Sequence, residues 1–256
     1  MTVREIYDLI NRLAPFETQA EFDNSGLLVG SAERAVEGIL FALDLTEPVI
    51  DEAVARGVQL IVTHHPLMFV PRKTLTDGDY EGRLIRRLVR ENLSLIAAHT
   101  NLDQAPGGIN DTLAKLCGLS EVTGEAFIRV GTLPEAMTAE AYAGFLAGRL
   151  GDTVRLMGPK EAVIRRAGLC SGGGSDEWEK AAGLGCDAFI SGEIKHHHAL
   201  AMADRGIAAF ECGHFATEAP GISALAVALQ NELDTIEYKM RIYVSEVSAY
   251  SFSQQP

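Results

Sequence analysis

The run Leu60-Ile61-Val62-Thr63 ends abruptly in two adjacent histidines, His64 and His65, followed by Pro66. A short apolar run rich in Ile and Val, preceded by a Gly57 that reads as a helix stop, predicts a fully buried strand of a parallel sheet. The histidines then sit at its C-terminal end, where open α/β sheets place their ligands. A regular strand sends neighbouring side chains to opposite faces, but the turn imposed by Pro66 lets both imidazoles face one cavity. His64 and His65 are accordingly read as ligands of two different metal ions.

Three more apolar runs end in the same residue types. Ser94–Ala98 leads to His99 and Asp103, Asp187–Ile190 leads to Glu193 and the run His196-His197-His198, and Ile207–Phe210 leads to His214 and Glu218. Parallel strands of one sheet end on one side, so the four groups are expected to converge. The four-residue spacing of His214 and Glu218 puts both on one face of a starting helix. Imidazole and carboxylate without thiolate suit Zn, Mn or Fe, and a shared carboxylate holds two such ions about 3.5–4 Å apart.

Helical periodicity is predicted for 3–14 behind a Thr2/Glu5 capping box, for 47–56, for 78–92 with Leu84, Ile85, Leu88 and Val89 inward, for 108–117, for 138–150 and from Pro220 to Leu233. Strands alternate with these helices, at 27–29, 39–45, 60–63 and 94–98, then at 127–130, 154–157, 163–169, 187–190, 207–210 and 236–244. The fold class is α/β, with mostly parallel central sheets flanked by helices. The segment 122–170 carries no His or acid cluster at a strand end and reads as a second, structural lobe or as a layer supporting oligomer contacts. The expected arrangement is a single unit of two lobes, one about 1–121 plus 200–256, the other about 122–199.

Composition narrows the function. Lys and Arg number 22 against 35 Asp and Glu, a formal charge of −13, which disfavours attraction to nucleic acid or anionic lipid. Arg83, Arg86, Arg87 and Arg90 fit the solvated face of one helix. Four cysteines without C-x-x-C spacing indicate reduced thiols and a cytoplasmic location. Neither a signal peptide nor a membrane span is expected.

Thr63-His64-His65-Pro66-Leu67, His99-Thr100-Asn101-Leu102-Asp103, Gly192-Glu193 with His196-His197, and Gly213-His214 followed by Thr217-Glu218 resemble, in order and from end to end, the motifs of the GTP cyclohydrolase 1 type 2 homologue family, also called the NIF-three-like family. Residues 23–30 resemble that family's Asp-Asn-x-Gly-Leu-x-x-Gly start, with Phe22 where Trp is common. The resemblance implies two similar α/β lobes with a metal site between them at strand C-terminal ends. It also implies two divalent metal ions per chain on His64, His65, Asp103, His214 and Glu218 with one carboxylate bridging, and a homohexamer. The length is similar to that of members without an inserted domain.

Several pieces keep two readings. Glu193 and His197 read as general acid/base groups or substrate contacts, or as a polar helix start. His99 reads as a group orienting a ligand, or as a core histidine bonded to backbone. Asp103 also fits an Asx turn. The Ser171–Ser175 stretch reads as a connector rather than a phosphate cradle, and Cys212 as a small buried hydrophobe rather than a ligand. The leading function is a dinuclear metal-dependent hydrolase of a small, anionic, nucleotide-like molecule, with Glu193, His197 and His99 as its catalytic groups. The alternative is a non-enzymatic metal-binding regulatory or metal-handling protein.

Overall fold

The computed structural model describes residues 1–247. The chain begins with α1 (Val3–Leu13), β1 (Gly26–Val29), β2 (Gly38–Ala42), α2 (Glu47–Arg56), β3 (Leu60–Thr63), α3 (Tyr80–Arg90), β4 (Ser94–Ala97) and α4 (Thr100–Gln104). It continues through α5 (Ile109–Leu116), β5 (Ser120–Thr123), β6 (Arg129–Thr138), α6 (Ala139–Leu150), β7 (Arg155–Met157) and β8 (Val163–Cys170). The last elements are α7 (Trp178–Gly183), β9 (Ala188–Ser191), α8 (His196–Asp204), β10 (Ala208–Glu211), α9 (His214–Thr235) and β11 (Arg241–Val244). The chain divides into two units, Met1–Pro106 with the part from Ile222 onward, and Gly107–Gly221. Within the second unit β5 hydrogen-bonds to β6, and β10 to β9 and β7.

The first unit holds a five-stranded sheet in the order β1-β4-β3-β2-β11. β4, β3, β2 and β11 run parallel, and β1 closes the edge antiparallel to β4. Every residue of β2, β3 and β4 is buried, which explains why these strands read as continuous apolar runs. Leu40, Ile61 and Leu95 pack with Val49, Ile50 and Ala53 of α2 and Leu84 and Leu88 of α3. The Thr46 hydroxyl caps α2, whose first turn contains Pro48, and Gly57 ends it in the left-handed conformation at φ 61°. Val89, expected inward, is 67% exposed, because one step along a helix turns the side chain about 100° from buried Leu88.

The second unit is built on a six-stranded sheet in the order β5-β6-β8-β9-β10-β7. Its centre, β8-β9-β10, is parallel, and β5, β6 and β7 join antiparallel, so this sheet is mixed. Alternation along the central strands feeds two cores. Leu169, Ile190 and Phe210 face Leu113 of α5 and Tyr142 and Leu146 of α6, while Cys170, Phe189 and Ala209 face Trp178 and Ala181 of α7 and Met202 of α8.

The four strands that deliver histidines are therefore two parallel pairs in two sheets, β3 with β4 and β9 with β10. The expectation that all four strands belong to one sheet is thereby corrected. A second correction concerns α9. It starts at His214, directly after Gly213 at φ 83°, and carries Pro220 inside it rather than at its start. The expected strand at 236–244 shortens to Arg241–Val244. Among the described residues no helix is long and apolar enough to cross a membrane.

One ion pair ties α5 to β6. The buried Arg129 guanidinium donates to Asp111 and to the carbonyls of Ala126 and Ile128, and the Gly107 N–H donates to the other Asp111 oxygen at 2.7 Å. Burial pushes the Asp111 pKa up, but the Gly107 N–H and the Arg129 charge outweigh it and hold the carboxyl below its ordinary value. A depressed folded-state pKa contributes stability above the unfolded value, about 3.9, that is lost as pH falls through the folded value. Asp111→Asn is expected to lower stability by about 1–2 kcal/mol at pH 7, a range that already allows for solvent screening. In urea unfolding the deficit should shrink below about pH 4.

Candidate metal centre

In the first unit the site is assembled where β2, β3 and β4 end. Past the end of β3, the His64 and His65 N–H groups still donate to the Leu43 carbonyl, at 3.1 and 3.0 Å, and the Thr63 hydroxyl donates to the His65 carbonyl at 2.9 Å. The turn gathers the rings instead of splitting them across the sheet. The His64 and His65 ring centroids are 5.0 Å apart, and His99 lies 5.0 and 5.6 Å from them. One ligating atom from each of the three histidines lies within 4.8 Å of the others, a group able to hold a metal ion. Asp103, on α4, places Oδ1 3.5 Å from His64 Nε2.

Each of these rings is held from behind. His64 Nδ1 donates to the Ala98 carbonyl at 2.8 Å, His65 Nδ1 to Asp44 Oδ1 at 2.7 Å, and His99 Nδ1 to Asp23 Oδ1 at 2.8 Å. A carbonyl or carboxylate oxygen only accepts, so the network assigns the proton to Nδ1 and leaves the lone pair on Nε2. Metal-ligating histidines show this pattern, a second nitrogen tied to an oxygen that fixes ring and tautomer.

The second unit repeats it at the ends of β9 and β10. His214, the first residue of α9, has Nδ1 2.9 Å from Glu193 Oε1 and Nε2 3.1 Å from Glu218 Oε2, one turn along the helix. Two acceptors facing each other at that distance repel unless a cation or proton lies between them, so this pair is chemically suited to a metal. The Glu218 side chain is buried and that of Glu193 mostly exposed, which separates a ligand position from a solvent-facing one.

Behind the pair runs the glycine-rich stretch read as a connector. Gly172, at φ 53°, donates its N–H to Thr217 Oγ1 at 3.1 Å, and its carbonyl accepts from Glu193 N–H at 2.8 Å. A Cβ at Gly172 would lie 2.0 Å from Glu218 Oε1 and 3.0 Å from His214 Nε2. Gly192 is also crowded, its Cβ position 2.8 Å from His214 Cα. Glu211, ending β10, accepts the Ile194 N–H at 2.9 Å and so fixes the loop that carries Glu193.

Of the expected residues, His64, His65 and Asp103 gather in the first unit, and His214 and Glu218 in the second. His99, read as an orienting or core group, lies with His64 and His65 as a further ligand-type nitrogen. Glu193 reaches His214. His197 is exposed on the first turn of α8 with its ring 4.3 Å from that of His198. Cys212 is fully buried, and burial, with Asp152 and Glu211 adding to it, pushes its thiol up to about 12, the behaviour of a small apolar side chain. Asp23, Asp44 and Gly172 were not singled out as site residues. Asp44 follows the apolar run of β2, so the strand-end rule that found the histidines also points to it.

The family model described as Duf34/NIF3 (NGG1p interacting factor 3) matches residues 1–250. The chain belongs to the Duf34/NIF3 family. Relatives in Clostridium perfringens and Clostridium acetobutylicum, each named GTP cyclohydrolase 1 type 2 homolog, are 35% and 30% identical to it, over 92% and 98% of this chain and 94% and 99% of theirs. The crystal structure of the Staphylococcus aureus hypothetical protein SA1388 is similar with a TM-score of 0.93 and 27% identity, over 100% of this chain and 99% of that one. A Duf34/NIF3 member with two sheets flanked by helices, and with histidine and carboxylate side chains grouped at strand ends, is what the sequence motifs imply.

Proposed function

We propose that the chain is a metal-dependent hydrolase that holds two divalent ions, Zn, Mn or Fe, on His64, His65 and Asp103 of the first unit and His214 and Glu218 of the second. The observation that carries this reading is the common posture of the histidines: His64, His65, His99 and His214 each have Nδ1 within hydrogen-bond distance of a carbonyl or carboxylate oxygen, the contact that orients a ligating ring. When bound, such a pair of ions lowers the pKa of a water to near neutrality and polarises the scissile group. The chain's own part is to hold and orient. Asp44 and Glu193 fix His65 and His214, and Glu193, solvent-facing and 2.9 Å from His214 Nδ1, takes and returns a proton. His99 is the second proton-handling group and His197 a substrate contact.

The substrate in this reading is small, anionic and nucleotide-like, drawn by the ions in a chain of net charge −13. The relatives' name, GTP cyclohydrolase 1 type 2 homolog, supports water-driven ring opening as the first chemistry to try. Assembly as a homohexamer in the cytoplasm belongs to the same reading. The test is hydrolysis of nucleotides and cyclic amides by chelator-stripped protein reloaded with Zn, Mn or Fe. Turnover that appears only on reloading and is lost in His65→Ala is expected. Turnover that survives stripping, or metal-loaded protein that hydrolyses none of them, contradicts the hydrolase reading.

A further inference from the structure

We propose that Asp23 is a positioning residue that sets two elements of the metal centre at once, the His99 ring and the short helix that carries Asp103. Its side chain is fully buried and collects five donors. Oδ1 accepts from His99 Nδ1 at 2.8 Å and from the Asn24 N–H at 2.7 Å. Oδ2 accepts from the Ser25 hydroxyl at 2.9 Å, the Thr100 N–H at 3.0 Å and the Thr100 hydroxyl.

The Thr100 N–H opens α4, and the helix's own N-cap residue, His99, provides no side-chain cap. A helix start needs acceptors for its first N–H groups, and here the carboxylate comes from a residue 77 positions away. Ser25 completes the clamp: its hydroxyl oxygen accepts the His99 N–H at 3.1 Å while its proton goes to Asp23. One carboxylate thus fixes where His99 sits, which nitrogen carries its proton and where the first turn of α4 begins, three residues before Asp103. Burial pushes the Asp23 pKa up, yet the donors from His99, Thr100 and Asn24 outweigh it and keep the group charged.

The chemistry demands a carboxylate. An amide at position 23 presents one oxygen and one NH2, and each Asp23 oxygen serves a backbone N–H, so either orientation sets donor against donor. The consequence for metal binding rests on the reading given under Proposed function, but the tautomer of His99 does not.

The experiment is nitrogen-15 NMR of the histidine rings in metal-free wild type and Asp23→Asn at about pH 8, where free imidazole is neutral, together with Zn titration against a competing chelator. Wild type should show His99 protonated on Nδ1. Asp23→Asn, with its amide spectrum still that of a folded chain, should move His99 toward the Nε2–H form and bind Zn about 10–100-fold more weakly. A wild-type His99 protonated on Nε2, or a folded Asp23→Asn that keeps both the tautomer and the Zn affinity, overturns the proposal. If Asp23→Asn does not fold, the wild-type tautomer still decides, and Ser25→Ala should weaken Zn binding several-fold; unchanged binding in that variant counts against the clamp. A wild type that takes up no Zn would defeat the metal reading while the tautomer still reports on Asp23.

Discussion

Gly172→Ala is expected to lower metal affinity by about 10–100-fold and to destabilise the chain by about 1–3 kcal/mol. Two causes add. At φ 53° an L side chain occupies a conformation that glycine alone enters freely, and the new methyl carbon would lie 2.0 Å from Glu218 Oε1 and 3.0 Å from His214 Nε2. The overlap is relieved only by moving the Glu218 carboxylate from its place beside His214, or by moving the loop and with it the Gly172 bonds to Thr217 and to the Glu193 N–H. Gly173→Ala is the control, since a Cβ there meets nothing within 4 Å. It should bind metal and unfold in urea as wild type does. Equal affinities for Gly172→Ala and wild type would show that Glu218 and His214 do not ligate from these positions.

His65→Ala and His64→Ala should differ in a way that separates ligation from folding. Both remove an Nε2 proposed as a ligand, and both are expected to lose metal by about 100-fold or more. The His65 side chain is 26% exposed and pairs with Asp44, itself 29% exposed, so its truncation leaves groups that water can reach and should cost little stability. His64 is fully buried, and its loss removes the donor to the Ala98 carbonyl and leaves a buried hole, a cost of about 1–3 kcal/mol. Chelator-competition titrations with urea melts of the metal-free proteins read both quantities. Undiminished affinity in His65→Ala would remove that residue from the ligand set.

The features legible in the sequence are those written in local pattern. The buried runs Leu60–Thr63 and Ser94–Ala97 announced central strands, and Thr2 with Glu5 forms the capping box read from spacing alone. The ligand-type residues were found because strand ends are local. What was not legible is what tertiary contact decides. The Asp23 carboxylate meets His99 across 76 residues, and no periodicity links them. Gly172 looked like a connector because only the folded chain brings Glu218 against it. Strand order was likewise hidden: an apolar run does not say which sheet it joins, so four histidine-bearing strands expected in one sheet are two pairs in two sheets. Pro220 misplaced the start of α9, since proline in a first turn is the commoner pattern and here it lies within the helix.

A dinuclear centre would show itself as bound metal. The most direct test is metal content per chain by mass spectrometry on gently purified wild-type protein, repeated after incubation with Zn, Mn and Fe. About two ions per chain, removable by chelator and restored on reloading, are expected. A chain that binds no metal even after incubation would contradict that expectation, and the histidine clusters would then be polar packing held by Asp23, Asp44 and Glu193.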